Sequence, residues 1–183
     1  MNRTTRATLA VAALGLALSG CTGSTDEDPE AETKATPQDT WAKSLCEGLA
    51  PTTAVIDPPA TEGADVAESK EAIVTFLETL QERLQSQAGV LKDVGAPPEV
   101  DPAAYKSARK SLKAGASTLD GVIDRLKQAS PKDASQMEAS LLQVSETLAS
   151  SASYQGPLAE LSASDETLKT AFENNDQCKM IMS

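Results

Sequence analysis

The chain of 183 residues contains no histidine. That removes the usual general base near neutral pH, the commonest transition-metal ligand and every triad built on an imidazole. Helical bundles that house di-iron or zinc centres combine carboxylates with histidine, so no resident metal is expected. Aromatic residues are also scarce, with two Phe, two Tyr and one Trp, too few to line a roomy cofactor pocket. No stretch alternates β-branched and polar residues as a strand does. Neither a G-x-S-x-G elbow, a P-loop nor a dinucleotide glycine fingerprint occurs. Ser107 to Lys110 do spell S-x-x-K, but the companion S-D-N and K-T-G motifs are missing and the segment lies in a helical pattern. The expectation is a non-enzyme with no catalytic residue and no cofactor.

Long apolar runs are missing too. The longest, Ala7 to Leu18, has twelve residues, whereas a membrane-spanning helix needs about 20. Arg3 and Arg6 precede it and the small residues Ser19 and Gly20 follow it, which is the order of a secretory signal peptide. The ending Leu18-Ser19-Gly20-Cys21 resembles the lipobox of bacterial lipoproteins. The resemblance covers the first 21 residues and implies cleavage between Gly20 and Cys21, with the Cys21 thiol acylated. One acyl chain holds a membrane only marginally; lipoprotein modification implies at least two, hence a stable anchor on the extracytoplasmic face of the bacterial cell membrane.

Positive charge is in the minority. The net charge is −11, and loss of residues 1–20, which carry Arg3, Arg6 and no acid, takes it to −13. Nucleic acid is therefore an unsuitable partner. Lipid attachment, not surface charge, carries the membrane association. Residues 21–39 are rich in Gly, Ser, Thr, Pro and acid without apolar periodicity, and read as a disordered acidic tether. Setting Cys21 aside leaves Cys46 and Cys178, an even pair in an exported chain with 131 residues between them, and a disulfide is the simple inference.

What is abundant is helical periodicity. Asp39 or Thr40 can cap a short first helix presenting Trp41, Leu45 and Leu49 on one face, with Trp41 as a core anchor. Asp65 with Glu68 makes a capping box for a helix over 66–94 whose stripe is Ile73, Leu77, Leu80, Leu84 and Leu91, stopped by Gly95. Asp101 and Pro102 open a third helix with Tyr105, Leu112, Leu119 and Leu126 in one heptad position and Ala108, Gly115 and Val122 in another. Gly115 on that stripe predicts a close helix approach. Ser130 and Pro131 restart a helix bearing Met137, Leu141, Val144 and Leu148, closed near Tyr154 and Gly156, with a hairpin favoured over a kinked continuous helix. A last helix from Ser164 presents Leu168, Phe172 and Cys178, with Leu158 and Leu161 in the loop before it. The predicted fold is all-α: an antiparallel up-and-down bundle of about four helices plus a short N-terminal helix clipped on by the disulfide, spanning 40–183. The breaks at Pro and Gly favour intramolecular packing and a monomer.

Carboxylate pairs such as Asp120 with Asp124, and Glu78 with Glu82, sit one turn apart and read as solvated helix faces. Lys106, Arg109, Lys110 and Lys113 are different: four cations and no acid at the start of the third helix. They suit either an anionic partner or ion pairs with Glu68, Glu71, Glu78, Glu82 or Glu146 on neighbouring helices. The functional expectation is a membrane-tethered protein-interaction module in the envelope. The alternative is a carrier of a small apolar or anionic ligand held between the helices, where Gly115, Ala108 and Ala116 leave room.

The anchor has a direct test. Cys21→Ala is expected to abolish incorporation of radiolabelled palmitate into the chain and to release it from the lipid-anchored membrane fraction; undiminished labelling would mean that Cys21 is not the acylated residue.

Overall fold

A computed structural model describes residues 35–60, 63–130, 132, 134–151 and 155–183. The expected signal peptide, Cys21, most of the expected tether, Pro131 and Tyr154 lie outside the described residues. Seven α-helices follow in order, and no strand occurs among the described residues: α1 Pro37–Leu49, α2 Val66–Val94, α3 Pro102–Gln128, α4 Ala134–Ser151, α5 Pro157–Ser164, α6 Glu166–Glu173 and α7 Asp176–Met182, with a 3₁₀ turn at Ala50–Thr52. The predicted helical bundle and the Cys46–Cys178 disulfide are both present.

Helices α2 and α3 are the spine. The α2 helix starts at Asp65, whose carboxylate accepts from the Glu68 N–H at 2.8 Å while Glu68 takes the Asp65 N–H at 3.3 Å. It ends at Gly95, where φ is +80°, a conformation that glycine adopts without steric cost. Its 29 residues make it about 43 Å long. Asp101 caps α3 through the Ala103 N–H at 2.9 Å, with Pro102 at the first helical position. The two helices run antiparallel: Tyr105 donates its hydroxyl to the Leu91 carbonyl at 2.7 Å, Gln81 donates to Asp120 at 2.9 Å, and Lys127 reaches Glu78 at 2.6 Å. Lys70 of α2 closes the far end by donating to the Lys127 and Ala129 carbonyls at 2.7 Å each, a cation where the helix dipole favours one.

At one end of the spine α4 folds back on α3. Ala129 is extended, with φ −62° and ψ 130°, so α3 stops there instead of bending into α4. Met137 and Val144 join Val74, Leu77, Leu119, Val122, Ile123 and Leu126 in one core cluster. Leu141, expected in this stripe, is 39% exposed, and Leu142 is 62% exposed. The inward stripe of α4 is Met137, Val144 and Leu148, and Leu141 falls beside it.

The other end is assembled around α1. Thr36 caps this helix, its hydroxyl accepting from the Asp39 N–H at 3.1 Å and its own N–H donating to the Asp39 carboxylate at 2.8 Å. The cap lies three residues ahead of Asp39, which serves as the third residue of a capping box. Trp41 is 7% exposed, its ring 6.1 Å from Phe172, and its indole N–H donates to the Gly95 carbonyl at 3.1 Å. Leu45, Cys46, Leu161, Leu168, Phe172 and Cys178 are 0% exposed.

The C-terminal segment differs from expectation. In place of one helix from Ser164 there are two short ones, α6 and α7, separated at Asn174–Asn175, and the expected loop before them is helix α5, which carries Leu158 and Leu161 and ends at Asp165. The Asp165 carboxylate accepts from the Thr167 and Leu168 N–H groups at 2.8 and 3.0 Å, and Asn175 accepts from the Cys178 N–H at 3.1 Å. Each is an N-cap that starts a new helix direction. Helices of seven and eight residues are too short to persist alone; their buried leucines and the disulfide hold them.

The disulfide joins residues 132 apart in sequence, for which chain-entropy bookkeeping gives about 5 kcal/mol. Replacing both Cys46 and Cys178 with alanine is expected to cost about 2–5 kcal/mol, read as a lower urea midpoint; an unchanged midpoint would mean that the clip is dispensable.

Gly48 marks a close approach that the sequence did not reveal, because a Cβ there would sit 2.6 Å from Cγ1 of Val90 on α2. Overpacking costs about 1–3 kcal/mol, against a helix-propensity gain of at most about 1 kcal/mol. Gly48→Ala should therefore destabilise when Val90 is present and stabilise in a Val90→Ala background. Urea denaturation of the four variants measures the coupling, and additive effects would refute the contact.

Candidate functional site: the basic face of α3 and the groove at Gly115

The α3 helix brings the four expected cations onto one face, since residues 106, 109, 110 and 113 are spaced by about one or two turns. Lys106, Lys110 and Lys113 are exposed and Arg109 is half-buried. Together with Ala114 they border an open groove of about 440 Å³. The Arg109 guanidinium lies 5.6 Å from the centroid of the buried Tyr105 ring, a cation–π contact. Its Nε is buried with no hydrogen-bond partner among the described residues.

The ion pairs of the described residues lie elsewhere: Lys43 with Glu47, Lys127 with Glu78, Lys169 with Glu166 and Lys179 with Asp176. None of the four basic-face cations has a described carboxylate within 4.0 Å, so the pairing with glutamates of neighbouring helices does not form among these residues. Glu68 is used in the α2 cap and Glu78 is used by Lys127. That pairing raises the Lys127 pKa, through its hydrogen bond to Glu78 first and then the attraction of Glu78, Asp124 and Asp120. Asp120 also accepts from Gln81, so these carboxylates support the spine.

On the opposite side of α3, Gly115 meets α2 as its position predicts: a Cβ there would come 3.1 Å from Cδ1 of Leu84. Ala108 is packed into the core at 0% exposure and leaves no room, while Ala116, 7% exposed, borders a separate groove of about 340 Å³ with Gln81, Lys113 and Asp120. Gly115 lines a slot of about 320 Å³ bordered by Leu80, Leu84, Leu119 and Leu148. Arg83 borders both this slot and a larger cavity of about 760 Å³ between the end of α1, α2 and the C-terminal helices. Sequence reasoning passed over Arg83 and Ser162, because single residues between two elements carry no periodic signal. The Gly156-Pro157 pair could have announced α5, and with it the cavity wall.

No group of three or more His, Cys, Asp or Glu side chains among the described residues is arranged to hold a metal ion. No helix of the described residues is long and apolar enough to cross a membrane. Comparison with protein-family models, with curated proteins and with solved structures finds no match to this chain.

Proposed function

We propose that this chain is a non-enzymatic interaction module held at the extracytoplasmic face of a bacterial cell membrane by lipid on Cys21, with the basic face of α3 as the surface that meets an acidic envelope protein. The observation that carries this reading is the lack of any described carboxylate within ion-pair distance of Lys106, Arg109, Lys110 and Lys113, in a chain whose net charge is −11. Adjacent like charges repel, and no described carboxylate within 4.0 Å pairs with them. A partner carboxylate cluster would do so, contributing mainly to encounter rate and orientation. Lys106, Lys110 and Lys113 are exposed on helix α3, which keeps their spacing fixed. The acidity of the remainder disfavours nucleic acid and anionic lipid as alternatives.

Detergent-released protein from its own cells, examined by native mass spectrometry, should carry a protein companion as well as lipid on Cys21. The variant Lys106→Glu/Lys110→Glu should lose that companion while its thermal stability stays within the about ±0.5 kcal/mol typical of surface substitutions. Retention of the companion by the variant would refute the basic face as the docking surface; loss of stability would make it a structural element.

A further inference from the structure

We infer that the chain also holds a single-chain amphiphile with an anionic head, its acyl chain in the slot between α2, α3 and α4 and its head at Arg83. This gives the carrier alternative a place in the fold and stands independently of docking at the basic face. The slot, about 320 Å³, is walled by Leu80, Leu84, Leu119 and Leu148, with Ser111 and Gly115 of α3 also lining it. An acyl chain lying against these leucines gains dispersion contacts along its length.

Arg83 supplies the head contact. Its guanidinium donates to the Ala54 carbonyl and has no carboxylate within ion-pair distance among the described residues. It borders the slot on one side and the cavity of about 760 Å³ on the other, so an anion beside it leads directly into apolar surroundings. The remaining charges of that cavity are Lys169 and Glu173. Lys169 is held by Glu166 at 2.9 Å and further attracted by Glu173, which leaves Arg83 as the cation available to a ligand. Within the same cavity the Ser162 hydroxyl is buried without a described partner, a second group for a head oxygen. Cavity and slot each have a volume in the range of small-molecule sites, about 760 and 320 Å³.

The test uses the chain from residue 21 with Cys21→Ser, which retains every described residue and needs no detergent, titrated calorimetrically below micelle-forming concentrations. Probes are decanoate, dodecanoate, tetradecanoate, dodecanol and a dodecanoyl lysophosphatidylglycerol. One molecule per chain is expected, tightening about fourfold per added methylene, the equivalent of about 0.8 kcal/mol per buried CH₂, until the slot is full. Dodecanol should bind at least about tenfold more weakly than dodecanoate, the scale of one charge-assisted hydrogen bond. Arg83→Gln should abolish that preference. Ser111→Phe, at the rim of the slot, should abolish the chain-length dependence without touching Arg83, and circular dichroism verifies that each variant is folded. Tighter binding of the lysophospholipid identifies a phosphate head and tighter binding of dodecanoate a carboxylate, and either supports the site. Absence of saturable binding, or saturable binding that neither folded variant alters, would overturn it.

Discussion

The structure depends on the covalent and aromatic clamp that fixes α1 against the C-terminal helices. Cys46 and Cys178 are fully buried and bonded, and the Trp41 ring lies 6.1 Å from Phe172 in the same cluster. Three helices of eight, eight and seven residues have no independent stability. Helices α6 and α7 become helical because α1 gives their apolar side a surface to cover, and α5 packs on α3 and α6. The Trp41 indole also ties this end to the carbonyl of Gly95, so the clamp reaches the turn from which α3 departs. An aromatic pair at this separation adds about 0.5–1.5 kcal/mol beyond its burial, and the disulfide acts mainly by restricting the unfolded chain.

Two clusters of apolar residues share the spine. One contains Trp41, Leu91, Tyr105, Leu112 and the C-terminal leucines; the other contains Leu77, Leu119, Leu126, Met137 and Val144. Leu84 packs against both and is the side chain that Gly115 lets approach. The slot therefore opens where the two cores meet, a place where neither cluster supplies a side chain to fill it. A bundle with a continuous core would have closed it.

Electrostatics divides the molecule along α3. Its basic face carries four cations without described acid partners, while the slot at Gly115 lies on the roughly opposite side of the helix. One helix thus separates a surface suited to a macromolecular acid from a groove suited to a small amphiphile. Because the Arg109 guanidinium lies over Tyr105, and Tyr105 bonds the Leu91 carbonyl, the basic face is built on the rigid spine.

Both ends of helix α2 and the start of α3 were legible, because capping boxes, proline at the first helical position and a terminal glycine act within a few residues and need no tertiary partner. The cysteine pairing was legible by parity once Cys21 is set aside, and the basic cluster by simple adjacency in sequence. The first cap was misplaced by three residues because Thr36 and Asp39 both carry capping chemistry, and only the observed reciprocal bonds decide which is the cap. The division of the C-terminal segment at Asp165 and Asn175, the Gly48–Val90 contact, the absence of described acids around Lys106 to Lys113 and the meeting of Arg83 with a leucine-lined slot were decided by the tertiary structure alone. Sequence fixes what each turn of helix prefers; which side chains face one another depends on distances between segments far apart in the chain, and those are set only when the helices pack.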